Sequence, residues 1–224
     1  MDKKVQDILS KMTLEDKISL CNGADFWHSK AMAQYGIPAV SNSADMLGVN
    51  ESEPATCFPT AVTSGATWDA ELLKAEGQAI GEEGLSYGVD VLLGPGVNIK
   101  RNPLCGRNFE YFSEDPCIAG AMGAAWVQGA QSTGAGTSLK HFAANNQEYK
   151  RFNGNSQVDE RTLRELYLPA FENRNQGCPA RNRYVQLPAH QQRPRQRQPL
   201  AADRCSAQGL GLCRAGRDRL GRAV

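Results

Sequence analysis

Two short segments concentrate the side chains that can hydrogen-bond a polyhydroxylated ligand. They are residues 94–116, GPGVNIKRNPLCGRNFEYFSEDP, and residues 138–148, SLKHFAANNQE. In each segment, cationic side chains stand beside amides and carboxylates, directly after a short run with β-strand character. Because parallel sheets present ligand-binding groups where their strands end, these segments indicate a sugar-binding site at one end of a sheet.

The pair Lys140–His141 lies at the end of such a run and would point two donor groups into the site. The plain alternative is a solvated lysine beside a core histidine that is satisfied by the backbone. The amides and carboxylate at 145–148 follow at once and favour hydroxyl recognition. Arg107 has a planar fork that can bridge two sugar oxygens, although an ion pair with Glu110 or Glu114 is the structural alternative.

Two further residues could complete the same site. Arg151 follows the amide cluster, and Asp45 is the one acid of the first strand-end loop, SNSADMLGVN. A carboxylate at Asp45 could accept hydrogen bonds from two adjacent hydroxyls, or it could simply form a turn. The Gly-Pro-Gly of residues 94–96 is too short for a phosphate-binding loop, so we reject nucleotide binding.

The elements that must hold these residues alternate between strands and helices. Acids after Thr13 mark a helix start, and apolar residues at helical spacing predict later helices. The predicted strands cover 37–40, 89–93 and 137–140, and the predicted long helices cover about 69–87, 116–131 and 160–172.

Strands that alternate with long helices predict an α/β fold with a parallel sheet and crossover helices. The chain offers three or four such units, whereas a (β/α)8 barrel typically needs about 250 residues. We therefore expect a partial TIM-type barrel, roughly its first half.

The seven cysteines form no CxxC pair and no Cys/His spacing, so the sequence predicts neither a zinc site nor a disulfide framework. We expect no metal and no cofactor. The N-terminus lacks an apolar signal core, and no run approaches the ~20 apolar residues of a membrane span. A cytoplasmic protein without a membrane partner is the expectation.

The balance of charge changes abruptly near residue 173. Residues 1–172 hold 14 Lys+Arg against 22 Asp+Glu, a net charge of −8, whereas residues 173–224 hold 11 Arg against 2 Asp, a net charge of +9. The second part lacks Ile, Phe and Trp. We therefore divide the chain into an α/β part, 1–172, and an arginine-rich, unstructured tail, 173–224. A nucleic-acid-binding arm is the alternative for the tail, but its arginines are not interleaved with aromatic residues.

Long motifs in a fixed order make residues 5–172 resemble a known family. Besides the two segments above, they are KMTLEDKISL at 11–20, PATCFPTAV at 54–62 and DERTLRELYLPAFE at 159–172. Together they resemble the N-terminal barrel domain of glycoside hydrolase family 3, of the β-glucosidase type. The resemblance implies hydrolysis of a terminal β-linked glucose or related sugar by retaining double displacement, without a cofactor.

Carried over position by position, the resemblance implies contacts to the non-reducing sugar. Asp45 departs from the family pattern, because the family usually has Asp-Gly-Pro and a later Arg where this chain has DMLGVN. The implied contacts are Asp45, Arg107, Lys140, His141 and Arg151.

The resemblance also implies catalytic groups that this chain does not supply. Double displacement needs a nucleophile and an acid/base whose carboxyl groups lie about 5 Å apart. The nucleophile is expected as the Asp of an Asp-Trp pair, which residues 173–224 lack, and the acid/base normally comes from a second domain. We expect this chain to be inactive alone, or alternatively to be a non-catalytic sugar-binding fragment.

Our hypothesis for the missing nucleophile is a frameshift near residues 173–174. Codons chosen for residues 181–187 and read one base later give Ala-Thr-Val-Met-Cys-Ser, which the family places on its next strand. The same shift converts residues 199–203 to Arg-Trp-Leu-Leu-Thr, and 219–221 to Asp-Trp-Gly. The expected nucleophile thus lies out of frame at Arg219.

Overall fold

The computed structural model describes residues 3–25, 27–44, 54–149 and 156–172. Within them, a small parallel sheet is flanked by helices. The helices are α1 (Lys3–Lys11), α2 (Leu14–Leu20), α3 (Ala61–Gly65), α4 (Ala70–Ser86), α5 (Pro116–Ser132) and α6 (Glu160–Thr162), and the strands are β1 (Asn42–Ala44), β2 (Val91–Leu93) and β3 (Gly136–Thr137).

The three strands form one parallel sheet in the order β1-β2-β3. Asn42 is aligned with Val91, and Val91 with Gly136. Helix α4 connects β1 to β2 and helix α5 connects β2 to β3, which confirms the predicted alternation of parallel strands and crossover helices.

The predicted strand at 37–40 is wrong. Met32 and Ile37 form an isolated antiparallel bridge around a single 3-10 turn, Ala33–Tyr35, and Gly36 closes that turn at φ +64°. The sheet begins only after Ser41, whose carbonyl oxygen accepts hydrogen bonds from Asp90 and Val91. Local turn chemistry therefore displaces the strand by a few residues.

Helices α4 and α5 begin at aspartate caps. The Asp69 carboxylate accepts from the backbone of Glu71 and Leu72, and Asp115 accepts from the residues after Pro116 in the same way. Such caps satisfy amides that have no partner within the helix. The predicted boundaries, about 69–87 and 116–131, agree with the structure to within one residue.

The core lies between the sheet and the two long helices. Its largest fully buried side chains include Trp126 and Val127 of α5 and Leu73 of α4. Gly129 lets the helices touch, because a Cβ there would fall on the carbonyl oxygen of Lys74. The last helical segment adds Phe171 to this core, where its ring packs edge-on against Phe142.

The predicted helix at 160–172 is present in modified form. Helix α6 continues into a π-helical turn, Leu163–Tyr167, and α-helix resumes at 169–172. Leu163, Tyr167 and Leu168 bury their side chains with Ile99 in a second apolar cluster. Among the described residues, no helix is both long enough and apolar enough to cross a bilayer.

Candidate functional site

The two chemistry-bearing segments meet where β2 and β3 end. The ladder between these strands extends beyond them, since Lys140 donates its N–H to Pro95 at 3.0 Å and accepts from Val97 at 2.8 Å. Gly96 pairs with both Lys140 and Tyr111. A Cβ at Gly96 would come within 2.9 Å of the Glu110 carbonyl oxygen, so glycine permits this close approach. Residues 98–111 and 140–148 therefore lie side by side.

Asn98 fixes the backbone of His141 from the neighbouring strand end. Its Oδ1 accepts the His141 N–H at 2.7 Å, and its Nδ2 donates to the His141 carbonyl oxygen at 3.0 Å. Both residues are buried. A buried amide with both its polar groups engaged holds the histidine in one position. The Lys140–His141 peptide bond is cis.

Glu110 links two cationic side chains. Its Oε1 accepts a hydrogen bond from Arg107 Nε, and its Oε2 lies 3.3 Å from Lys140 Nζ. The side chains of Glu110 and Lys140 are each 9% exposed, and that of Arg107 is 16% exposed. At such burial each charge needs a nearby counter-charge. This ion-paired triad sets the orientation of the guanidinium and the ammonium group.

The ring of His141 connects Arg107 to Tyr111. Arg107 Nη2 lies 2.6 Å from His141 Nε2, and the Tyr111 hydroxyl lies 3.2 Å from His141 Nδ1. The same hydroxyl donates to the carbonyl oxygen of Asn145 at 3.1 Å. Asn145 Nδ2 in turn donates to Tyr111 at 3.0 Å and to Glu148 Oε1 at 3.2 Å. Polar groups from both segments thus form one continuous network.

Burial and neighbouring charges shift the pKa values of Arg107 and Tyr111 in this network. Burial works against the charged form of Arg107, but the hydrogen bond to Glu110 and the charges of Glu110 and Glu148 outweigh it and raise the pKa of Arg107. Burial also raises the pKa of Tyr111 well above its usual value. The guanidinium therefore stays charged and the phenol stays protonated at neutral pH.

Three of the five predicted sugar contacts come together here, namely Arg107, Lys140 and His141. Asp45 and Arg151 lie outside the described residues. The ion pair with Glu110 that we considered as the structural alternative for Arg107 is present, and a sugar contact by this arginine stays a prediction. Lys140 is not a solvated lysine, and the ring of His141 is held by side chains rather than by the backbone alone.

Asn98 and Tyr111 take part in the site although the sequence did not single them out, and Glu110 was considered only as an ion-pair partner of Arg107. Asn98 interrupts an apolar run, Val97–Ile99, and a polar residue at such a position is a signal that could have been used. The described part of the chain contains no group of three or more His, Cys, Asp and Glu side chains able to hold a metal ion.

This geometry accompanies a family match over most of the chain. Residues 8–194 match the Glycosyl hydrolase family 3 N terminal domain. The chain belongs to glycosyl hydrolase family 3. The match confirms the resemblance inferred from the motifs, and it extends past residue 172 into the segment that we assigned to the tail.

Relatives within the family include enzymes of two named specificities. The thermostable β-glucosidase B of Acetivibrio thermocellus is 49% identical over 181 residues, which cover 75% of this chain and 24% of that protein. The exo-α-(1→6)-L-arabinopyranosidase of Bifidobacterium longum is 45% identical over 77% of this chain and 24% of its own length. The chain thus spans about a quarter of the length of these relatives.

Solved structures of β-glucosidases are also similar to this chain over about three quarters of its length. The family 3 β-glucosidase of Bifidobacterium adolescentis is 48% identical, with a TM-score of 0.72 over 76% of this chain and 25% of that one. The β-glucosidase 3B of Thermotoga neapolitana, solved in complex with α-D-glucose, is 41% identical, with a TM-score of 0.69 over 77% of this chain and 27% of its own.

Proposed function

We propose that this chain carries part of the sugar-binding half of a β-glucosidase-type glycoside hydrolase. The observation that supports this most is the buried meeting of Arg107, Lys140 and His141 at the ends of adjacent parallel strands. Two of the relatives that match this region are named as glycosidases acting on different pyranoses, glucose and arabinopyranose. The ligand class is therefore a terminal pyranose sugar.

The chemistry of the cluster suits hydroxyl recognition. Arg107 and Lys140 supply donors whose directions are set by Glu110, and charged donors make stronger hydrogen bonds to neutral oxygens than uncharged donors do. The formal charges of Arg107, Lys140, Glu110 and Glu148 sum to zero, which suits a neutral sugar. Asp45 and Arg151 are proposed as further contacts, as the family resemblance implies.

Catalysis is not expected from this chain alone. Retaining hydrolysis needs a nucleophilic carboxylate and an acid/base about 5 Å apart. Glu110 is engaged with two cations, and Glu148 accepts hydrogen bonds from Asn145 and Arg107, so neither has the environment of a catalytic carboxyl group. We propose that the nucleophile is lost out of frame near Arg219 and that the acid/base belongs to a second domain.

We also propose a fold and a division of the chain into two parts. Residues 1–172 are proposed to form roughly the first half of a (β/α)8 barrel, with 173–224 as a basic tail read out of frame. Sequencing the gene through codons 165–230 tests the frame. An inserted or missing nucleotide near codon 173 supports the proposal, whereas an intact frame in fresh source DNA contradicts it.

Sugar binding is tested on the full chain by titrating D-glucose and L-arabinose and following binding by calorimetry or ligand-observed NMR. Replacing Arg107 by Gln removes a charged donor worth about 1.5–3 kcal/mol, so binding should weaken roughly ten- to one-hundred-fold. Hydrolysis of an aryl β-glucoside should stay undetectable in both chains.

Arg161→Gln is the matched control, because Arg161 is 84% exposed and lies outside the network. It should bind as the unchanged chain does. A chain whose circular dichroism shows the helices but which binds neither sugar would contradict the proposed function.

A further inference from the structure

Each ring nitrogen of His141 faces a polar group, and for Nε2 the hydrogen-bonding role of that group is fixed by chemistry. An arginine guanidinium carries donors and no acceptor. Arg107 Nη2 lies 2.6 Å from Nε2, and this contact is a hydrogen bond only if Nε2 carries no hydrogen. A neutral imidazole has one donor and one acceptor nitrogen, so the hydrogen must then be on Nδ1.

The surroundings of Nδ1 agree with this assignment. Nδ1 lies 3.2 Å from the Tyr111 hydroxyl oxygen. That hydroxyl uses its one hydrogen toward the carbonyl oxygen of Asn145, which can only accept, at 3.1 Å. The two lone pairs of the hydroxyl oxygen then accept from His141 Nδ1–H and from Asn145 Nδ2–H. In this arrangement the three donors around the Tyr111 hydroxyl, namely its own O–H, His141 Nδ1–H and Asn145 Nδ2–H, each meet an acceptor.

The second Nδ2 hydrogen of Asn145 extends the same pattern. It donates to Glu148 Oε1, which also accepts from Arg107 Nη1 at 3.4 Å. The network thus returns to the arginine at which it began. The opposite tautomer would place the Nε2 hydrogen against an Arg107 donor, and it would require the Tyr111 hydrogen to leave the Asn145 carbonyl oxygen.

We propose that Arg107 and Tyr111 are positioning residues that hold His141 as a neutral ring with its hydrogen on Nδ1 and a hydrogen-bond acceptor at Nε2. The tautomer of His141 does not depend on the proposed function. Its consequence for a bound sugar rests on the proposed function. A ligand hydroxyl that reaches Nε2 must donate its hydrogen to the ring, and it replaces an arginine donor when it does so.

The charges around the ring favour the same state. Among the described residues, the titratable groups that contact the ring are Arg107 and Tyr111, and Glu110, Lys140 and Glu148 belong to the same ion-paired cluster. Two cations and two carboxylates cancel, and Tyr111 stays protonated because burial raises its pKa. A second ring hydrogen would add a positive charge directly against Arg107 in a buried site, where an uncompensated charge is costly. We therefore expect the ring to stay neutral over the range in which a free histidine changes charge, about pH 5 to 8.

Long-range ¹H–¹⁵N correlation spectra of the full chain, labelled with ¹⁵N-histidine, test the tautomer directly. The spectra distinguish a ring nitrogen that carries hydrogen from one that does not, and the signals absent in His141→Gln assign the ring. We expect a single form, protonated at Nδ1 only, from about pH 5 to 8. Averaged tautomers, a hydrogen on Nε2 or a doubly protonated ring in this range would overturn the proposal.

The role of Arg107 is tested by Arg107→Met, with Arg161→Met as the matched control. Loss of the donor should let the ring sample both tautomers and take up a second hydrogen in acid, while the control keeps the single form. An Arg107→Met chain that retains its helices and the single Nδ1–H form would overturn the role given to Arg107. The spectrum of the unchanged chain decides the tautomer even if this variant fails to fold.

Monodeoxy and monodeoxyfluoro derivatives of glucose test the consequence for a ligand. Fluorine accepts weakly and cannot donate. At the hydroxyl that meets Nε2, the deoxy and deoxyfluoro sugars should therefore lose binding by the same factor. Deoxyfluoro sugars that bind better than the deoxy sugars at every position would overturn this part. Failure of all sugars to bind would count against the proposed function, whereas the spectra would still decide the tautomer.

Discussion

At the residue scale, Glu110 determines how two cations face the site. Its carboxylate contacts Arg107 through one oxygen and Lys140 through the other, and all three side chains are largely buried. A buried ion pair is weak evidence for net stability, but removal of one partner leaves a costly unpaired charge. We therefore regard Glu110 as a residue that orients the proposed sugar-binding groups rather than as one that reacts.

Tyr111→Phe tests the network at its most buried hydroxyl. The substitution keeps the ring but removes the acceptor of His141 Nδ1–H and of Asn145 Nδ2–H, and also the donor to the Asn145 carbonyl oxygen. Buried polar groups left unsatisfied cost about 1–3 kcal/mol. The free energy of unfolding, measured with urea, should fall by that amount.

Tyr35→Phe serves as the control for this loss, because the Tyr35 hydroxyl bonds Asp16 near the surface. Its effect should be smaller than that of Tyr111→Phe. If both variants lost the same free energy of unfolding, the buried network would contribute no more to stability than the hydrogen bond of Tyr35 does.

Residue types in the sequence were enough to find part of this site. Arg107, Lys140 and His141 stand out as donors at predicted strand ends, and the structure brings them together. Tyr111 and Asn98 look like ordinary strand-end residues in the sequence. Their roles depend on contacts between residues 30 or more positions apart, which local patterns do not reveal.

At the element scale, glycines set the distance between α4 and α5. A Cβ at Gly77 would fall on the Trp126 carbonyl oxygen, and a Cβ at Gly129 would fall on that of Lys74. Neither neighbour is the flexible end of a side chain, so the helices would have to move apart. The alternating helix and strand pattern was predictable from the sequence, but this backbone contact was not.

Gly129→Ala should therefore destabilise the chain despite the better helix propensity of alanine. Overpacking of this kind costs about 1–3 kcal/mol, more than the roughly 1 kcal/mol that alanine gains over glycine in a helix. Thermal unfolding followed by circular dichroism measures the difference. Gly106→Ala, where a Cβ would meet nothing within 4 Å, should leave the midpoint almost unchanged. A stabilised Gly129→Ala chain would contradict the close packing.

At the scale of the whole molecule, exposed carboxylates make the free energy of unfolding depend on pH in the acidic range. The hydrogen bond from the Tyr35 hydroxyl lowers the pKa of Asp16, backbone N–H groups of Trp27 and His28 lower the pKa of Asp25, and that of Thr162 lowers the pKa of Asp159. In the unfolded chain each group titrates near 3.8. Their contribution is thus complete above that pH and is lost as the pH falls through the lower folded values.

We expect the free energy of unfolding to fall as the pH is lowered from about 4 toward 2. Asp16→Asn should reduce the slope of this fall, because Asp16 closes the capping box of α2 with Thr13. Asp7→Asn, on α1, is the control and should keep the original slope. Urea titrations at a series of pH values provide the measurement. If Asp16→Asn left the slope unchanged, Asp16 would not contribute to the pH dependence of stability.

The hydrogen-bond network around His141 also bears on the order in which the protein is made. Its members within the described part of the chain lie between residues 98 and 148, and they are aligned by neighbouring strands that one crossover helix connects. Protein chains leave the ribosome from the N-terminus, and domains begin to fold in that order. The network can therefore close on the nascent chain before the C-terminal end of the chain has been translated. A change of reading frame after residue 172 would then leave the described members of the proposed sugar-binding cluster unchanged.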